Sequence, residues 1–346
     1  MDRAAFDRSL AGAAAAAGAG IRAGARAVGL RVDREAVVVE VGGRREELRA
    51  SACLLACGAS YRLQRGLGWG IPRLFLSSAQ TELGAAEGDG IEIFLRRELG
   101  TTGFAWLVPL AREGERRAKV GVMAPRGVGS ALRQLLAELG ASGRLAGRPG
   151  PTVTRLLPLG PLSRTYGDRV LAIGDAAGLV KPTTGGGIYY SLLTAGWAAE
   201  TVTAAFARGD FSSKALAGYE ERWRAQLGPE LSTGMWFRRL VQRLAPADLD
   251  ALAELAIRDG VLPIVRRTAR FNWHRDLILQ TRRHPVVLQI VLRGLLRGPT
   301  GRREGSLGAG PSTTAPPPAL LPTRSSAART AAFRSTRRSS GARGRA

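Results

Sequence analysis

Apolar and polar positions along the chain alternate in two periods, and the period changes several times. Phe6, Leu10, Ala13 and Ala17 recur at helical spacing, which predicts a helix over 4–17 that stops at Gly18. Val37 to Val41 predicts a strand, and Gly42-Gly43 predicts a tight hairpin turn into the segment after it. Ala52 to Cys57 is a continuous apolar run and predicts a buried strand ending at Gly58. From Gln80 to Ala124 the character shifts. Ile91 to Leu95, Phe104 to Val108 and Lys119 to Met123 predict antiparallel strands parted by Gly and charged turns. Ser130 to Leu139 predicts a helix capped by the serine and ended by Gly140. Helical spacing returns over 211–226 and 235–264, and again in the apolar run 286–296.

Between these regions lies the most informative stretch, Arg169 to Tyr190. Val170 to Ile173 reads as a short strand covered on both faces. Gly174-Asp175 follows where such a strand ends, and a short carboxylate on a turn accepts hydrogen bonds from sugar-like hydroxyls. Gly178 and Pro182 redirect the chain, and Gly185, Gly186 and Gly187 let backbone approach a ligand closely. Ile188, Leu192, Ala195, Ala199 and Val202 then place one apolar face on a helix. The start of that helix presents free N–H groups and partial positive charge to whatever precedes it. These residues alone also allow a strand-to-helix turn that binds some other anion, or none.

Gly174-Asp-Ala-Ala-Gly178 followed by Pro182-Thr-Thr-Gly-Gly-Gly-Ile188 resembles the second flavin-binding motif of the geranylgeranyl reductase-like FAD-dependent oxidoreductases, relatives of the aromatic-ring hydroxylases. The resemblance implies that Asp175 binds the ribityl chain and that Gly185, Gly186 and Gly187 cover the pyrimidine edge of FAD. Gly174, Gly178, Pro182 and Ile188 belong to the same motif. Gly58 resembles the turn that closes the dinucleotide-binding half of such proteins. Phe104-x-Trp106-x-Val108-Pro109 with Gly121 resembles the family's aromatic fingerprint, with Met123 where a second glycine is usual. The functional reading of Phe104 and Trp106 is the lining of an apolar tunnel; the other is plain packing of a sheet.

The implied fold class is α/β (α+β): a partial Rossmann-like FAD-binding domain, an inserted antiparallel-sheet substrate domain and a C-terminal helical region. The implied domains are 1–66 and 156–226 for the cofactor, 67–155 for the sheet, 227–297 for the helices and 298–346 for a disordered tail. The implied activity is hydride transfer from reduced flavin to carbon–carbon double bonds of an isoprenoid or other apolar molecule; the reductant, NAD(P)H or ferredoxin, is unassigned. A monooxygenase shares the same fold. A remnant without activity, or a basic module binding nucleic acid or lipid, are the readings outside these enzymes. Tyr189 or Tyr190 would serve as proton donor or equally as packing, so the catalytic group is unassigned.

Composition changes this picture little. The net charge of +23 points to an anionic partner. Yet nearly all of it is Arg in a chain also rich in Ala, Gly and Pro, which reads as compositional bias and argues against nucleic acid. The excess is greatest after Gly298, where Glu304 is the single acid and little could form a core. Cys53 and Cys57 read as buried free thiols in a reducing, cytoplasmic setting. His274 and His284 read as surface or packing residues, and no set of metal ligands accompanies them. The run 286–296 fits either the core or peripheral contact with the inner face of a membrane. The strand–Gly-x-Gly-x-x-Gly–helix unit that holds a dinucleotide pyrophosphate does not occur, so the sequence reads as N-terminally incomplete, with weak FAD binding and poor solubility expected.

Overall fold

The computed structural model describes residues 2–42, 46–85, 90–96, 99–100, 102–112, 114–257 and 261–296. The hairpin turn at Gly43 and the stretch from 298 onward lie outside them. Among the described residues the protein is a mixed α/β structure with three sheets.

The first sheet is a meander of β1 (Ala27–Val32), β2 (Val37–Val41) and β3 (Glu46–Ala50), antiparallel throughout. The sequence pattern predicts the second and third of these strands and misses β1. Ahead of it, α1 (Arg3–Ala16) is capped by Asp2, whose carboxylate accepts from the Ala5 N–H, and buries none of its residues.

The large antiparallel sheet has the order β10-β5-β8-β7-β6, with β9 (Leu145–Ala146) also pairing β5. Its strands are β5 (Leu74–Ala85), β6 (Glu92–Phe94), β7 (Phe104–Arg112), β8 (Glu115–Ala124) and β10 (Val153–Leu159). The central strand β8 is buried almost continuously from Ala118 to Ala124. One face packs Ala79, Leu107, Val120 and Val122 against α3 (Val128–Ala141), which presents Leu132, Leu135 and Leu139 at helical spacing. The opposite face carries Leu76, Phe104, Trp106 and Met123 toward the rest of the molecule. The serine does not cap α3. Its N-cap is Gly127 in the left-handed conformation (φ 71°), and Ser130 Oγ donates back to the Gly127 carbonyl at 2.9 Å.

The third sheet is small. β12 (Val170–Ala172) pairs in parallel with β4 (Cys53–Leu55) and antiparallel with β11 (Tyr166–Gly167). β4 is shorter and less covered than its apolar run predicts. Leu54 is 40% exposed, Cys53 is half-buried and Cys57 is exposed beyond the strand, because β12 is the one strand that pairs it among the described residues. Burial still pushes the Cys53 thiol up to about 11. A short helix, α2 (Arg62–Gly66), follows.

Two long helices cover this sheet. α4 (Ile188–Arg208) and α5 (Ser213–Val241) bury Tyr190, Ala198, Leu216, Tyr219 and Trp223 against Leu55 and Val170 to Ala172. α5 runs unbroken through Pro229, where the spacing predicts two separate helices. Then come α6 (Pro246–Ile257), α7 (Leu262–Thr268), α8 (Arg275–Thr281) and α9 (Pro285–Leu296). α9 buries Val287, Ile290 and Val291 and exposes Val286, Leu288 and Leu292. Among the described residues, no helix is long and apolar enough to cross a membrane, and no cluster of metal-ligand side chains occurs.

Candidate functional site

Parallel strands carry their ligands beyond their carboxyl ends, and β4 and β12 end on the same side. The turn after β4 holds Gly58, in the left-handed region (φ 63°) with open space where a side chain would stand. The turn after β12 is a 3-10 turn over Gly174–Ala177 that carries Asp175. Side chains from far along the chain fix it. Tyr61 donates its hydroxyl proton to the Asp175 carbonyl at 2.5 Å, and Gln64 Nε2 donates to the Ala176 carbonyl at 2.9 Å. The Gly174 N–H donates to Thr194 Oγ1 at 3.1 Å, and Tyr219 donates to the Ala172 carbonyl at 2.7 Å. Gln64, Thr194 and Tyr219 are fully buried. Nothing in the local pattern announces these ties, since Tyr61 and Gln64 lie more than a hundred residues from the turn they hold. Gly178 leaves the turn at φ 74° and lies against the Gly160–Pro161 backbone, so both its conformation and its space demand glycine.

The Asp175 carboxylate takes no side-chain partner among the described residues. Burial holds its pKa above the ordinary value, and Arg3 on α1 pulls it partly back. It lies beside Gly187, where an added Cβ would come within 2.5 Å of Oδ1. Gly187 is the N-cap of α4 and no side chain caps that helix, so its first-turn N–H groups and the carboxylate share one corner. The glycine turn closes on itself through the Gly185 N–H to the Lys181 carbonyl at 2.9 Å and the Lys181 N–H to the Gly186 carbonyl at 3.2 Å. Side chains at Gly185 and Gly186 would press on Leu157 and Met123 and on Lys181 respectively. The space these two glycines keep free is therefore filled by the protein itself. Ile188 is 37% exposed at the first helical position. The apolar face read on α4 is out of phase: Tyr190, Thr194, Ala198 and Ala205 are buried, while Ile188, Leu192 and Ala199 are exposed.

Two cavities border Pro182 to Thr184 of the glycine turn; Gly58, Asp175 and Gly187 line neither. The larger, about 410 Å³, lies between Thr183-Thr184 and the helices carrying Phe237, Leu240, Leu277 and Val291. The smaller, about 330 Å³, lies between Pro182-Thr183, Phe104 and Leu252. Thr183 and Phe237 border both. Trp106 lines neither; it pairs across the sheet with Gly121, where any side chain would overlap its indole, and its ring lies 5.8 Å from that of Phe104. Buried Arg238 donates to the carbonyls of Pro182 at 3.3 Å and Thr102 at 3.2 Å, linking turn to sheet, and burial lowers its pKa to about 10.

Loop 270–274 clamps the turn from outside. Lys181 Nζ donates to the Phe271 carbonyl and to Asn272 Oδ1, both at 3.2 Å. Tyr190 donates to the Asn272 carbonyl at 3.2 Å, and Tyr189 and Tyr190 pack against Trp273. His274, read from sequence as a surface or packing residue, has Nδ1 2.6 Å from Thr183 Oγ1.

A digeranylgeranylglycerophospholipid reductase from Methanopyrus kandleri is 32% identical over 285 residues, which span 77% of this chain and 71% of that protein. The chain belongs to the geranylgeranyl reductase-like family of FAD-dependent oxidoreductases. Other curated relatives are matched over 50% to 76% of their own length. Members of this family share the fold seen here: a geranylgeranyl bacteriochlorophyll reductase-like protein from Thermoplasma acidophilum superposes with a TM-score of 0.69 at 20% identity, over 83% of this chain and 74% of that one. The fold extends beyond the family to the halogenase PltM, solved in complex with FAD, with a TM-score of 0.53 at 14% identity over 82% of this chain and 64% of that one. No protein-family profile matches the chain.

Proposed function

We propose that the corner formed by Asp175, Gly58 and the N-terminus of α4 holds FAD, and that the two cavities take an isoprenoid chain of a glycerophospholipid. The observation that carries this reading is a carboxylate that, among the described residues, takes no side-chain hydrogen bond and stands beside a 21-residue helix without a side-chain cap. A ribityl chain offers hydroxyl donors to the carboxylate. The anionic pyrimidine edge of a reduced flavin suits the helix N-terminus. The donor set therefore fits the group.

Reduced flavin supplies a hydride for addition to a carbon–carbon double bond. The chain's own residues bind, orient and exclude water. Gly174, Gly178 and Pro182 set the path of the turn, and Gly185, Gly186, Gly187 and Ile188 bring it back to Asp175. Phe104 borders the smaller cavity, Met123 and Leu157 back Gly185, and Trp106 packs in the same apolar cluster as Met123. The apolar linings would keep an isolated alkene dry beside Pro182 to Thr184 of the glycine turn. The Methanopyrus relative's name supplies the lipid class.

The test is anaerobic. The full chain, loaded with FAD and reduced chemically, is mixed with a digeranylgeranylglycerophospholipid. Lipid that gains hydrogen by mass spectrometry, with matching flavin oxidation, supports the reading. A reduced protein that leaves the lipid unchanged without air, and consumes oxygen with the lipid once air is admitted, favours the monooxygenase instead.

A further inference from the structure

Saturating a double bond needs a hydride at one carbon and a proton at the other. The chain has two histidines, and one of them borders the larger cavity. His274 Nε2 lies 3.1 Å from the Phe271 carbonyl oxygen. A carbonyl accepts only, so Nε2 carries a proton and donates it. In the neutral ring, Nδ1 then accepts from the Thr183 hydroxyl at 2.6 Å. Protonation reverses that bond: Nδ1–H donates to Oγ1, and the hydroxyl proton turns to another acceptor. Thr183 borders both cavities, so a chain running from one to the other passes this residue. Glu230 on α5 accepts the N–H groups of His274 at 2.9 Å and Arg275 at 3.0 Å, which pins the backbone that sets the ring's place.

We infer that Thr183 delivers the proton to the alkene carbon and that His274 resupplies it, a step that rests on the function proposed above. The π pair forms the new C–H bond with the Thr183 hydroxyl proton. The Nδ1 proton passes to Oγ1 as the hydroxyl proton leaves. Bound reduced flavin would supply the hydride for the other carbon, and with it the electron pair that the alkene gains. The imidazole recovers its proton from solvent.

Burial holds the His274 pKa below its ordinary value, opposed by the Phe271 carbonyl bond. Lys181 on the glycine turn lowers it further, and Glu230 on α5 raises it. Arg282, after α8, adds positive charge at the same cavity. The protonated fraction grows as pH falls through this lowered value, so proton delivery speeds up toward acid pH and then levels off.

Two measurements test the pair. In ¹⁵N-labelled full chain without cofactor, His274 should appear as the Nε2–H tautomer. Its Nδ1 signal should move in Thr183→Val while that of His284 stays. In anaerobic single turnovers with reduced FAD and the lipid, Thr183→Val should slow flavin oxidation at least about 100-fold, with affinities for FAD and lipid unchanged. Thr183→Ser, which keeps the hydroxyl, should recover most of the rate. His274→Gln should be slow and independent of pH. A Thr183→Val rate equal to that of an active wild type, or a His274→Gln pH profile like the wild type's, would overturn the relay alone. A wild type that binds no FAD or saturates no lipid would overturn the function and the relay together.

Discussion

The large antiparallel sheet and the small parallel sheet are held together in different ways. β7 and β8 pair over their whole lengths, from Phe104 opposite Met123 to Arg112 opposite Glu115, and their buried face rests on α3. That sheet carries its own cohesion in long ladders and an apolar interface. β4 and β12 pair through three residues each, and β11 adds two more. Strands this short hold no shape by themselves. Their geometry comes from α4 and α5 above them and from buried side chains that donate to turn carbonyls. The candidate cofactor corner is built on the part with the least cohesion of its own. Its accuracy depends on single polar ties more than on apolar area.

That contrast yields mutational expectations of decreasing size. Leu135→Ala removes a buried side chain beneath the large sheet and should cost about 3 kcal/mol in denaturant unfolding. It should leave FAD affinity per folded molecule unchanged. Gln64→Leu leaves the Ala176 carbonyl without its donor in a fully buried place and should cost about 2 kcal/mol. Calorimetric FAD titration should show weaker binding in the same variant, in contrast to Leu135→Ala. Tyr219→Phe loses one bond to the Ala172 carbonyl and should cost about 1 kcal/mol. Equal effects of Gln64→Leu and Leu135→Ala on FAD binding would erase the distinction between the two regions.

The smallest expected effect has the opposite sign. The folded-state pKa of Asp175 lies above its ordinary value because of burial, so its ionised form opposes folding. That penalty is complete above the folded-state pKa and fades as pH falls toward the ordinary carboxylate value. Asp175→Asn should therefore raise the melting temperature of the FAD-free protein near neutral pH, and the gain should vanish in acid. Melting curves across pH check the sign.

The sequence displayed the chemistry better than the packing. The strand, the acid-bearing turn and the helix over 170–208 are legible because each has a local cause: a run of apolar residues, glycines at left-handed positions and a long helical period. The phase of α4 is not legible, because Ile188 and Leu192 are as apolar as the residues that are buried. β5 escapes notice because Ser77, Ser78, Gln80 and Thr81 interrupt its apolar alternation; Thr81 is accommodated by donating to the Gly150 carbonyl. α5 passes through Pro229, so a residue that usually breaks helices hides one continuous element. The contact of His274 with Thr183 joins residues about ninety positions apart. No local pattern encodes that meeting; it exists only once α5 and loop 270–274 have docked.

Calorimetric titration of FAD into the wild type and Asp175→Ala tests the central claim most directly. A carboxylate that accepts from the ribityl hydroxyls predicts a Kd at least about tenfold higher in the variant, from the strength of hydrogen bonds to charged groups. An unchanged Kd in a folded variant would contradict it.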